Sequence, residues 1–143
     1  MPITQKFYPS FFSRVLNETL FVNSEISCQL MLFRNGVGFN KMHVNADDIP
    51  DFQDFAIIPS VKDLTVTAEL DLANEKLNFS IPELTWGSPL GEEFYSGILF
   101  EREGLLFMHF DFGGPQNPLG GFTLAPNLLC KPHINLAFTP GCP

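Results

Sequence analysis

The residues most suggestive of chemistry lie in LLFMHFDFGGPQNPLGG, residues 105–121, where Asp111-Phe112-Gly113 repeats the tripeptide that holds magnesium in protein kinases. Kinase chemistry also needs a glycine-rich nucleotide loop, a strand lysine paired to a helix glutamate, and a catalytic Asp and Asn, in a chain about twice as long. None of these is present, so the tripeptide reads as the end of a strand running into a glycine-rich turn. His109 and Asp111, two residues apart, share one side of that strand and have the types of a general base and its orienting carboxylate. No G-x-S-x-G is present, and no serine or cysteine is placed beside them by the sequence. The pair therefore reads as a cross-strand polar pair or an interface contact. Gly113-Gly114-Pro115 and Asn117-Pro118-Leu119-Gly120-Gly121 form no phosphate cradle, because no helix start follows to aim amides at an anion. They read as a long hairpin connection, a natural contact point.

Asp47, Asp48, Asp51 and Asp54 form the densest acidic cluster. A calcium loop would need the glycine and terminal glutamate of its 12-residue pattern. Both are missing, and the cluster reads as a solvated acidic loop. His43 and His133 are isolated, with no histidine pair at ligand spacing. No metal and no cofactor are expected. Cys28, Cys130 and Cys142 are an odd set without metal spacing or the density of a disulfide scaffold. Cys28 lies in an apolar alternation and reads as a small buried residue; a Cys130–Cys142 bridge is left open.

Such groups need a scaffold, and 143 residues with 16 phenylalanines are enough for one domain with a substantial core. Apolar residues make up 45% and charged ones 17%, below the roughly 25% charged that is usual. Some apolar surface is therefore expected to face a partner. The formal charge of -8 repels nucleic acid and anionic lipid. MPITQKFYPS lacks the basic head and apolar run of a signal peptide, and nowhere do 18 apolar residues follow one another. The expectation is a soluble product made in a cytoplasm, without membrane or nucleic-acid binding.

The elements read as one short helix followed by many strands. Ser10 is the expected N-cap of a helix through FFSRVLNETL, where Phe12, Val15, Leu16 and Leu20 recur at helical spacing. From Ile26 the period becomes two: Ile26, Cys28, Leu30 and Leu32 on one side, Ser27, Gln29, Met31 and Phe33 on the other, up to the Asn35-Gly36 turn. Residues 36 to 63 read as a long connection with one short strand. Leu64, Val66, Ala68, Leu70 and Leu72 alternate with polar residues, and Leu77, Phe79 and Ile81 resume after Ala73-Asn74-Glu75, so residues 64 to 82 form a hairpin. Pro82 suggests an edge strand or a bulge there. Trp86 anchors the core beside the Gly87–Gly91 turn. Further strands are expected over 94–101, over 105–112 with Leu106, Met108, Phe110 and Phe112 on one face, and from Phe122. This pattern predicts an all-β fold: an antiparallel β-sandwich, jelly-roll-like, with one short N-terminal helix. It is a single domain, comprising an N-terminal segment 1–24 with the helix, a sandwich 25–127, and an extended tail 128–143 with at most one short strand.

FYPSFFSRVLNETL, SCQLMLF, LTVTAELDLANEKLNFSIPELTW, LLFMHFDFGG and GGFTLAPN follow one another in an order that resembles a group of small bacteriophage virion proteins. The resemblance covers about residues 7 to 127 and departs at FQDFAIIPSVKDL, where the family has a glycine-tyrosine-glycine-glycine type segment. It implies a non-enzymatic structural component on the capsid surface of a virion: a decoration (cement) protein that binds the major capsid protein and associates with itself, most simply as a homotrimer. A tail, neck or fibre component is the alternative within the resemblance. A carbohydrate- or receptor-binding sandwich and a small hydrolase using His109 and Asp111 are the alternatives outside it. The contacts expected are Phe7, Phe11 and Phe12 near the N-terminus, Asn117 and Leu119 in the glycine loop, and Leu128, Leu129, Ile134 and Phe138 in the tail.

Overall fold

The computed structural model describes residues 3–11, 24–35, 37–50, 52–57, 60–86, 92–116, 121–126 and 132–135. Among these residues run β1 (Thr4–Phe7), β2 (Ser24–Phe33), β3 (Lys62–Asp71), β4 (Lys76–Ser80), β5 (Leu84–Trp86), β6 (Phe94–Glu101), β7 (Leu106–Gln116), β8 (Phe122–Leu124) and β9 (His133–Asn135). Seven pair in the order β1-β7-β6-β2-β3-β4-β9, every neighbour antiparallel, while β5 and β8 form a second small sheet. The fold is all-β and sandwich-like, as the alternating sequence predicts.

Local patterns explain the strands. In β2, Ile26, Cys28, Leu30 and Leu32 are all buried in the main core, and in β3 the inward Leu64, Val66 and Ala68 alternate with exposed Asp63, Thr65 and Thr67. The β3–β4 hairpin pairs Leu70 with Leu77 and Asp71 with Lys76. Its turn is tied by Asp71, whose carboxylate accepts from the Asn74 backbone at 3.2 Å and side chain at 2.8 Å. Glu75 takes the left-handed conformation that closes the turn, with φ 55°.

The large sheet curls strongly. β1 and β4 are five places apart in the strand order, which would separate them by about 24 Å if the sheet were flat. Yet the rings of Phe7 and Phe79 have centroids 5.7 Å apart, and Phe107 of β7 meets Phe79 at 5.5 Å. The sheet therefore wraps around its own aromatic core, where Phe11 stacks on Phe107 at 3.8 Å. The small sheet closes the remaining opening: Phe122 meets Phe94 at 4.9 Å and Phe112 at 5.3 Å, and Leu84, Trp86 and Leu124 complete the cluster. Burial of this aromatic surface drives closure, at about 25 cal/mol for each Å² of apolar area removed from water.

Several expectations are corrected. The helix starts at Pro9, not after Ser10: the Tyr8 carbonyl accepts from the Phe11 amide at 3.0 Å, and Pro9 suits a first helical position because it lacks an N–H. Beyond Phe11 the expected helix, with Phe12, lies outside the described residues. The described part of 37–57 holds no ladder strand but a 3-10 turn (Ala46–Asp48), a one-turn helix (Phe52–Phe55) and the isolated bridges Phe33↔Ala56 and Asn45↔Leu105. β4 is not an edge, because β9 from the expected tail pairs with it through Leu77↔Ile134. Strict alternation also fails at the start of β7, where Phe100 pairs with Leu106 and Leu99 with Met108. The extra residue, Phe107, forms a bulge that puts Phe107 and Met108 both into the main core and Leu106 on the opposite face. β7 does not stop at Phe112 either. Gly113 and Gly114, with φ 77° and 151°, carry it to Gln116, which pairs with Phe94.

Candidate functional site

The second face of the sheet carries Met31, Phe33, Ile98, Phe100 and Leu106, and the chain from Val37 to Asn45 lies over part of it as a strap. The strap is tied at both ends. Ser96 Oγ donates to the Val37 carbonyl at 3.1 Å; the Leu106 amide donates to the Val44 carbonyl at 3.0 Å and the Ala46 amide to the Gly104 carbonyl at 2.8 Å. Just beyond it, Asp48 and Asn45 form a reciprocal cap, with Asp48 Oδ2 accepting from the Val44 and Asn45 amides at 2.9 and 3.1 Å. These bonds hold the Asp48 carboxyl below its ordinary value.

His109 lies under this strap. It is 3% exposed, edge-on to Tyr8 (centroids 6.5 Å) and to Phe39 (5.9 Å), and those two rings meet each other at 5.1 Å. The imidazole hydrogen-bonds the Val37 carbonyl. Among the described residues Nε2 has no partner, which makes Nδ1–H the donor to Val37. Tyr8 Oη is likewise buried without a partner among the described residues, so the two groups are not hydrogen-bonded to each other. Burial is the largest influence on the ring and lowers its proton affinity below the ordinary 6.5; the Val37 carbonyl and Asp111 oppose that and Lys6 adds to it. Lys6 itself extends over the Phe39 ring, with Nζ 5.5 Å from the centroid. Burial also pushes the Tyr8 phenol up.

Asp111, two residues on, is exposed, and its Oδ1 accepts the Gly113 amide at 2.8 Å. The aspartate of the Asp-Phe-Gly run thus fastens the glycine bulge of β7, while Phe112 enters the main core. His109 faces the strap and Asp111 faces solvent. The two do not form a base and orienting carboxylate in this arrangement, since the imidazole N–H goes to a backbone carbonyl.

The remaining expected site residues divide into two groups. Phe7, Phe11 and Ile134 are not outward contacts: they are 5%, 0% and 1% exposed and belong to the core. The curl of the sheet brings β1 to β4, and the pairing of β9 onto β4 turns Ile134 inward. Phe12, Asn117, Leu119, Leu128, Leu129 and Phe138 lie outside the described residues, as do Asp51 of the acidic cluster, Cys130 and Cys142. Asp47, Asp48 and Asp54 are exposed. The large apolar side chains that do stand outward among the described residues are Met42, Val44 and Leu72. Met42 and Val44 lie on the strap, where no periodic signal marks them, whereas Leu72, which the alternation from Leu64 places on the inward face, stands outward on the β3–β4 turn because the strand ends at Asp71. The strap itself was legible only as a loop; nothing local marks Phe39 or Val37 as the cover of His109.

Among the described residues no helix is long and apolar enough to cross a membrane, and no group of three His, Cys, Asp or Glu side chains is placed to hold a metal ion. Fold and site define an antiparallel all-β domain built on a curled sheet with a strapped second face. Against protein-family models, curated proteins and solved structures, the chain has no match.

Proposed function

We propose that the protein is a non-enzymatic structural component of a bacteriophage virion, most simply a decoration protein that binds the major capsid protein. The observation that carries this reading is that the stretches resembling small virion proteins are the ones that build the body of the domain. LTVTAELDLANEKLNFSIPELTW becomes β3, β4 and β5, LLFMHFDFGG lies largely in β7, and the Phe122 strand pairs Trp86. The separation of His109 from Asp111 speaks for a structural rather than a hydrolytic role. Contact with a shell and with further copies would use the outward Met42, Val44 and Leu72 together with Asn117, Leu119 and the tail positions Leu128, Leu129 and Phe138. A protein that binds only the assembled shell stabilises it by RT ln(1 + [L]/Kd) for each site.

The test is quantitative mass spectrometry of virions separated into heads and tails, paired with light scattering of the purified chain. Stoichiometric recovery on heads and a closed oligomer, a trimer in the simplest case, are expected. Recovery only with tails would replace decoration by a tail, neck or fibre role, and absence from virions would overturn the proposal.

A further inference from the structure

The strap over His109 joins three features that no structural role for the domain requires together. A histidine is enclosed by two aromatic rings. One of its nitrogens is spent on the strap's own Val37 carbonyl, and the other, buried, has no acceptor among the described residues. Neutral imidazole suits this site because a single N–H is satisfied and a lone pair is the only group left over. A second N–H with a positive charge does not suit it, since a buried, unpaired charge is strongly disfavoured.

We propose that the Val37–Asn45 strap is a proton-sensitive latch: uptake of a solvent proton at His109 Nε2 releases the strap from β6 and β7 and uncovers the apolar face beneath. The groups around the ring are consistent with this direction. β1 and the residue after it contribute Lys6, a second cation, and Tyr8, whose hydroxyl finds no partner among the described residues. β6 contributes Ser96, already donating to Val37, and Ile98, which pairs with His109 and carries no charge. On β7 itself Asp111 is the one nearby anion; its Oδ1 accepts from Gly113 and the side chain faces solvent. The titratable residues of the strap are Lys41 and His43. The strap is held to the sheet by few bonds, chiefly those of Val37, Val44 and Ala46, so it can open without the core strands. Such sub-global opening exposes a local unit at far lower cost than unfolding. The uncovered surface would be Tyr8, Ile98, Phe100 and Leu106.

Hydrogen exchange at single amides tests this. The reporters are Leu106 and Ala46, which donate across the strap–sheet boundary, against Ile26 and Val66 in β2 and β3. Between pH 7.5 and 5.5, after correction for intrinsic exchange rates, the reporters should lose protection at least tenfold while the β2 and β3 amides keep theirs. Asp48 stays ionised throughout that range, so its cap is not the cause. His109→Gln, which retains a neutral donor for Val37, should abolish the pH dependence. Unchanged reporter protection in the wild type, equal loss in β2 and β3, or persistence of the effect in H109Q, which would implicate His43, each overturns the latch. If H109Q does not fold, the His109 ring resonances of the wild-type chain decide: their titration midpoint must coincide with that of the protection loss, and a mismatch rejects the proposal.

Discussion

Ser60 has four hydrogen-bond links in one small buried space, one of them from its own amide to the Ile57 carbonyl at 2.9 Å. Its Oγ accepts from the Leu32 amide at 2.9 Å and donates to the Ile57 carbonyl, and its own carbonyl accepts from Trp86 Nε1 at 2.7 Å. One hydroxyl thereby joins the end of β2 to the connection before β3, and its carbonyl adds the small sheet. Ser60→Ala leaves the Leu32 amide unpaired in the interior and should cost about 1–3 kcal/mol, read as a lower urea midpoint at unchanged slope. Cys28 offers a second check at this scale. Burial, with a smaller contribution from Glu101, pushes its thiol up to about 12, so it should resist iodoacetamide at pH 8 in the native chain and react after urea, as followed by peptide mapping. Labelling of native Cys28 at the unfolded rate would contradict its placement.

Among the elements, β6 is the strand on which both faces of the sheet depend. It presents Leu99 to the main core and Ile98 and Phe100 to the strapped face. Gly97 faces the main core as Leu99 does, and a Cβ there would meet Leu32 Cδ2 at 3.4 Å and Phe112 Cζ at 3.5 Å. Those are ordinary contacts, so Gly97→Ala should be tolerated. Gly97→Val adds methyl groups where no room is left and should destabilise by about 1–3 kcal/mol, a difference that thermal denaturation of the two variants resolves. The end of β2 is fastened in another way: Arg34 forks onto both carboxylate oxygens of Glu92 and donates to the Asp54 carbonyl at 2.8 Å. Because this pair is partly solvated, its share in stability is modest.

At the scale of the whole molecule, the Phe79 ring fills the space where the curled sheet meets itself, touching Phe7, Phe11 and Phe107. Phe79→Ala should cost about 3–5 kcal/mol and loosen β1 as well as β4, visible as lost amide protection on both. Stability should also depend on pH in a defined direction. The folded state holds His109 below its ordinary 6.5, so the unfolded chain binds more protons than the folded one once pH falls below about 6.5, and stability declines from there toward the folded value. Asp48 and Asp71 are held below their ordinary 3.8, and their contribution is lost only at pH below that. Urea midpoints at pH 7.5, 6.5 and 5.5 should therefore fall in wild type and fall less in H109Q; a midpoint that rises on acidification would refute the burial of His109 as described.

Most strands could be read from residues 24 to 124 alone, because side chains alternate along an extended backbone and a two-residue period marks the inward face wherever it is kept. Leu64 to Ala68, Cys28 in its alternation, and the anchoring role of Trp86 were legible for that reason. What the linear order could not hold was every relation between distant segments: the curl that draws Phe7 and Phe11 inside, the docking of Ile134 on β4, the bulge at Phe107, and the strap that encloses His109. These depend on which strand lies beside which and on how far the sheet bends. That is decided when the aromatic core closes, since only the assembled chain brings residues such as Phe7 and Phe79, 72 positions apart, within a ring's width.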